Sequence, residues 1–273
     1  MLELTGRYYR SIPITEPGYE EEPLRLPLDE TALVSLHCWN IGCPGGPELD
    51  PDFCVGMGYP DVTAEAYRIM REAIRPALDA ARRCRLAVCH VQDERIAQRY
   101  PEWYEDTRDE PAESAIPRPD APSEAIPGHR KAILERSHGV EYAERSGLAD
   151  MDFPEVVAPR PGEPIVHQTA QFDRILRERG VVNLIYAGFA TDMCILNAPG
   201  GMGPMFGLGY RVVLIRDATI GVEPPDFLPE RIATGWGIRY HETHWGDTVE
   251  VGDFIAACEA AEGSRAPGSH GAR

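Results

Sequence analysis

Apolar residues along the chain fall into two rhythms. Short runs rich in β-branched residues, "TALVSLHCWN" at 31–40, "CRLAVCHVQD" at 84–93, "VNLIYAGF" at 182–189 and "YRVVLIRDAT" at 210–219, read as strands buried on both faces. Between the first two, Val62 to Arg83 places Ala66, Ile69, Met70, Ala73, Ile74 and Leu78 at helical spacing, with Pro76 as a kink. Strand, helix, strand at this spacing is a right-handed βαβ unit and requires a parallel sheet. "EPIVHQTAQF" at 163–172 reads as a third strand with the loop after it. "DRILRERGV" follows as a short helix closed by Gly180, and "IRYHETHWGDTVEVGDFIAACEA" as a short sixth strand and a closing helix.

The rhythm breaks at three places. The first 30 residues, rich in Pro, Glu and Arg, are expected to wrap the surface as an arm. Residues 95–162 interrupt the α/β alternation with prolines and acidic patches, so they read as an insertion over the carboxyl edge of the sheet. Their "GHRKAILERSHGVEYAERSGL" holds a short helix. Residues 263–273, rich in Gly, Ser and Ala, are expected to form a disordered tail. That leaves one α/β domain over 31–262, long enough for a substantial core.

A net charge of −17 argues against nucleic acid or an anionic membrane surface as a partner, since phosphates reward the opposite sign. No run approaches a membrane span, and "MLELTGRYYRSIP" lacks the order of a secretion signal, so a cytoplasmic protein is expected. Seven scattered cysteines imply reduced thiols rather than a disulfide framework. Cys38, Cys43 and Cys54 cluster, but at no zinc spacing. Of 27 basic side chains, only Lys131 is a lysine.

One cysteine stands apart. In "LIYAGFATDMCILN" at 184–197, Cys194 follows a buried strand and falls in the first turn of a helix that Thr191 is placed to cap. That position is the crevice at the carboxyl end of a parallel sheet, where helix amides favour a thiolate. A buried, inert thiol is the alternative.

The run Gly188, Phe189, Ala190, Thr191, Asp192, Met193, Cys194, preceded by "RERGVVNLIYA" and followed by "GYRVVLIRDAT", resembles the isochorismatase-like, or cysteine hydrolase, family. The likeness extends in element order over roughly residues 30–255. It implies a three-layer α/β/α, Rossmann-like domain on a parallel six-stranded sheet, assembled as a homodimer or homotetramer. It also implies a small-molecule amide substrate and no cofactor. Cys194 would be the nucleophile, forming a thioester, with a cis peptide at Phe189–Ala190 and the Ala190 and Cys194 amides as oxyanion hole. The resemblance places an aspartate at the end of the first strand and a lysine at the end of the third. Here those places hold His37, in "HCWN", and His167 or Gln168; of the first motif only Asn40 agrees. "NAPGGMGPMFGLG" at 197–209 also departs, with prolines and glycines that predict a loop where the family runs a continuous helix.

Three readings follow. His37 or His167 replaces the missing partners as general base for Cys194. Alternatively, His37, His167 and Cys194 form a three-ligand site for zinc or a similar ion. Or catalysis is lost and the fold serves binding or assembly. Trp39, Asn40, Gln168, Phe189 and Thr191 are the candidate substrate contacts. Trp103 and Tyr104 are placed to close over the ligand, and Arg130 and Lys131 to meet an anion. His90 and Asp217 read as structural, and His241 and His244 as a pocket rim or subunit contact. The metal pattern of nicotinamidases, histidines in the segment after the first strand, has no counterpart in 41–83.

Overall fold

The computed structural model describes residues 1–48, 59–103, 128–140, 147 and 150–264. Four of the predicted strands are β3 (Thr31–Leu36), β4 (Ala87–Val91), β6 (Asn183–Gly188) and β7 (Arg211–Ile215). With the short β5 (Ile165–Val166) and β8 (Thr248–Val249) they form six parallel strands in the order β8-β7-β6-β3-β4-β5. Each strand buries both faces, and the alternation is strict. On β6, Leu184 and Tyr186 join one core and Ile185 and Ala187 the other. Each fully buried aliphatic side chain stabilises by about 2 kcal/mol.

The sheet has eight strands rather than six, because the first residues fold into it instead of wrapping over it. β1 (Leu2–Arg10) and β2 (Gly18–Leu26) form an antiparallel hairpin, and Arg7 of β1 pairs with Thr248 of β8. The register sets Leu2 opposite Leu26 and Leu4 opposite Leu24, all four buried, while Glu3 and Arg25 face solvent. This period-two alternation is diluted by the Pro, Glu and Arg of the outer face.

Helices cover both sides. α1 (Pro60–Ile69) and α2 (Arg75–Cys84) are one rod, joined by a π-helical turn at Met70–Ile74. Pro76 has no N–H to give the Glu72 carbonyl, and the widened turn absorbs that loss. The rod shares its face with the closing helix α9 (Val251–Gly263), whose Phe254 and Cys258 are buried. Under the other face lie α5 (Thr169–Glu178), α6 (Cys194–Asn197) and α7 (Met202–Gly207). Gly180, at φ +68°, closes α5 as predicted.

Two segments differ from the sequence pattern. Residues 197–209 are not all loop: α6 ends at Asn197, the chain turns through Gly200, and α7 follows with Pro204 in its first turn, where a missing N–H costs nothing. The stretch "IRYHETH" belongs to a helix, α8 (Ile232–His244), and only Thr248–Val249 is strand. Gly237 explains why a glycine-bearing segment is helical here: a Cβ there would stand 2.7 Å from the Thr191 carbonyl oxygen, so glycine lets α8 lie against the Cys194 loop. Of the insertion, α3 (Glu94–Ala97), α4 (His129–His138) and residues 150–162 are described. Cys54, Tyr104, the Arg130 side chain and residues 265–273 lie outside the described residues; residue 263 still belongs to α9.

Candidate active site

The loop bearing Cys194 leaves β6 at Gly188, whose φ is +131°. A Cβ there would come 2.0 Å from the Leu36 carbonyl oxygen, so only glycine lets β6 end this close to β3. The Phe189–Ala190 peptide is cis, and the Phe189 N–H donates to Leu36 O at 2.9 Å. Met193 and Ile195 N–H both converge on the Ala190 carbonyl, at 3.1 and 3.0 Å, and α6 opens at Cys194. Thr191 does not cap that helix. Its hydroxyl pairs with the Thr219 hydroxyl at 2.7 Å and its N–H donates to Ile220 O at 3.1 Å, bolting the loop to the segment after β7. Phe189 and Thr191 are both buried and hold the loop in place rather than presenting a ligand face.

Among the described residues, neither the Ala190 nor the Cys194 N–H is taken by a backbone carbonyl. The Ala190 amide draws the Cys194 pKa down, yet burial outweighs it and pushes the half-buried thiol above its ordinary value, and the nearby Asp192 carboxylate adds to the rise. The thiolate expected from the helix position is therefore not the resting form. A four-residue helix supplies little dipole, and desolvation outweighs it.

His37 follows β3, where Leu36 pairs with Gly188, so it comes next to the Phe189–Ala190 turn. It adopts φ +48°, sparsely populated for a residue with a Cβ, and its N–H donates to Val91 O at 3.0 Å. Its ring stacks on Trp39 at 5.1 Å, and its Nδ1 is shielded from solvent with no hydrogen-bond partner. Burial pulls its pKa down to about 4, against the opposing charge of Asp93. Trp39 is fixed by its Nε1–H, which donates to Gln92 Oε1 at 2.6 Å. Asn40 is engaged elsewhere: its N–H donates to Asp152 O and its Oδ1 accepts from the Asp152 N–H, both at 2.9 Å, clamping the returning insertion.

His167 stands at the end of β5 with both ring nitrogens engaged. Trp103 Nε1–H donates to Nδ1 at 3.1 Å, while the Gln168 amide lies 3.2 Å and Glu94 Oε1 3.5 Å from Nε2. Burial lowers its pKa, with Glu94 and Asp93 opposing. Among the described residues, no three His, Cys, Asp or Glu side chains come together as metal ligands, so the His37, His167, Cys194 trio is not formed as an ion site. The chemistry of this edge lies in a thiol, two amides and a neutral imidazole. Sequence reasoning missed Gln92, Asp93 and Glu94, although their position directly after β4 obeys the same strand-end rule that singled out His37 and His167.

The remaining candidates are structural. His90 is fully buried, with Nε2 2.9 Å from Glu163 Oε2, and Glu163 also accepts from Arg82 at 2.7 and 2.8 Å. Asp217 Oδ1 accepts from Val251 N–H at 2.8 Å at the start of α9. His241 is buried with Nε2 2.8 Å from Asp247 O, and Lys131 pairs with Glu135. His244 is exposed, its ring 4.7 Å from that of Tyr240. No helix among the described residues is long and apolar enough to cross a membrane.

Comparison with known proteins points one way. Residues 144–226 match the isochorismatase domain model. The ureidoacrylate amidohydrolase RutB of Rhizobium rhizogenes is 26% identical over 259 residues, covering 92% of each chain. Its counterpart in Pseudomonas savastanoi pv. phaseolicola is 28% identical over 240 residues, covering 85% of each. In fold, the chain is similar to a cysteine hydrolase from Pseudomonas syringae pv. phaseolicola, with a TM-score of 0.56 at 16% identity over 87% of this chain and 96% of that one. It is also similar to a putative hydrolase of the isochorismatase family from Chromobacterium violaceum, with a TM-score of 0.52 at 18% identity over 88% and 98%.

Proposed function

We propose that the chain is an isochorismatase-like cysteine hydrolase that cleaves a carbon–nitrogen bond of a small-molecule amide with Cys194 as nucleophile and His37 as base, a reading supported by the matched isochorismatase domain and the amidohydrolase relatives. The observation that carries this reading is Cys194 opening the helix after β6, beside the end of β3 whose His37 imidazole keeps a free, shielded nitrogen.

At neutral pH both partners are uncharged: burial holds the thiol protonated and the imidazole neutral. An imidazole this weakly basic does not sustain a free imidazolium beside a thiolate, so proton transfer accompanies attack. The Cys194 proton passes to His37 as the sulfur bonds the carbonyl carbon. The oxygen takes the electron pair and is held by the Ala190 and Cys194 N–H groups. Collapse breaks the C–N bond, and the imidazolium returns its proton to the leaving nitrogen. Water, deprotonated by His37, then attacks the thioester, releasing the carboxylic acid and restoring the thiol. Trp39 and Gln168 flank the entry, and His167, fixed between Trp103 and Glu94, positions the substrate. Asn40, Phe189 and Thr191 act through the frame. The same reading takes the protein as cytoplasmic and as a homodimer or homotetramer. Trp236, 55% exposed and stacked on Tyr240, and Phe206, 42% exposed and stacked on Trp245, offer a second copy an aromatic face.

The test is a rate assay over simple amides with wild type and Cys194→Ala. Hydrolysis by the first and not the second is expected; equal rates, or none in either, would defeat the proposal. A binding protein of the same fold is the second reading, favoured by the burial-raised thiol. Slow alkylation of Cys194 together with ligand binding and no turnover would select it.

A further inference from the structure

Two indole–imidazole pairs with acid between them stand past the carboxyl ends of β3, β4 and β5. Trp39 stacks on His37 with 21° between the planes, and Trp103 lies tilted over His167 with centroids 5.9 Å apart. His37 N–H donates to Val91 O and Gln92 N–H to Val166 O, so the chain leaving β4 runs between the two pairs. Asp93 and Glu94 are the next two residues. The charge of Asp93 acts on both imidazoles, and Glu94 Oε1 lies 3.5 Å from His167 Nε2. Their side chains are 35% and 60% exposed, open to an arriving ligand.

Among the described residues, the arginines after β4 and Lys131 are already committed. Arg95 Nε donates to Asp93 Oδ1 at 3.1 Å, and Arg99 donates to Met151 O at 3.0 Å and lies 3.7 Å from Asp152. Lys131 pairs with Glu135 on α4. At the end of β5 stands His167, already hydrogen-bonded and with its pKa lowered by burial. An anion entering here meets two carboxylates, whereas a cation meets carboxylates and indole faces, which attract positive charge.

We propose that the site selects small amides carrying a positive charge or none and rejects anionic ones, the amide lying between the two indoles and any cationic group settling against Asp93 and Glu94. This inference rests on the amide-cleaving reading of Cys194, but charge selection is measurable without turnover. Three matched probes suffice: para-aminomethylbenzamide, benzamide and para-carboxybenzamide. Binding is read by calorimetry on Cys194→Ala and turnover on wild type. The cation is expected to bind best and the anion at least about tenfold more weakly than benzamide. Glu94→Lys, at an exposed position that spares the core, is expected to narrow or reverse the order. If binding follows this order and nothing is cleaved, charge selection stands and the hydrolase reading fails. An anion bound as well as benzamide, an order unmoved by Glu94→Lys, or no saturable binding of any probe overturns the proposal.

Discussion

His37 and His167 look alike in the sequence, each the first polar residue past a buried strand, yet the fold treats them in opposite ways. His37 keeps a shielded nitrogen without a partner and is pulled down to about 4 by burial. His167 spends its Nδ1 on Trp103 and its Nε2 on Gln168 and Glu94. A strand end supplies a position; the hydrogen bonds around the ring decide whether it is free to move a proton. His90 is a third case, fully buried within β4 and bound to Glu163.

The largest effect that tests this contrast is on rate. His37→Asn is expected to lower kcat by about 10²–10⁴-fold, the usual worth of a positioned base, and His167→Asn by less than about tenfold. Equal losses would erase the distinction.

The pH profile comes next. The base must be unprotonated, so kcat/KM should fall as pH drops through about 4, the value burial gives His37, instead of through the ordinary histidine range. Asp93 raises the His37 pKa, so Asp93→Asn should move that limb further down. A limb near 6.5 in wild type would remove His37 from the role.

His90 supplies the structural control. Burial pushes the Glu163 carboxyl up, but the Arg82 and His90 hydrogen bonds more than offset it and hold the group at about 2. Its stabilising contribution is therefore complete above 4.5 and fades as pH falls toward about 2. Glu163→Gln should cost about 2–3 kcal/mol in denaturant unfolding and flatten stability over that window, with kcat unchanged. The smallest effect concerns His167 itself. Trp103→Phe removes a donor that favours the neutral ring, so an NMR titration should find the His167 pKa higher. The variant should lose about 1 kcal/mol of stability.

The parallel sheet was legible because strands buried on both faces leave unbroken apolar runs, and the Cys194 turn because Gly188 to Cys194 is a fixed local geometry. The hairpin of β1 and β2 was not, since Leu2, Leu4, Leu24 and Leu26 alternate with charged residues in a composition that reads as surface. α8 was missed for a similar reason: Gly235 and Gly237 weaken its helical signal, and the need for Gly237 lies in the Thr191 loop, far away in the chain. At the site, local pattern found Cys194 and both histidines. It missed that Thr191 bonds Thr219, that Asn40 is clamped by Asp152 and that Trp103 occupies His167, because each partner lies 28 to 112 residues away. The protonation of Cys194 was misread for the same cause, since burial is a property of the assembled core.

The most direct test is mass spectrometry of the Cys194 peptide after acid quench of the protein turning over an amide that it cleaves. The account predicts the acyl mass on Cys194 in wild type, its loss in Cys194→Ala, and far slower labelling in His37→Asn. Turnover that leaves Cys194 unlabelled, or that persists in Cys194→Ala, would contradict it.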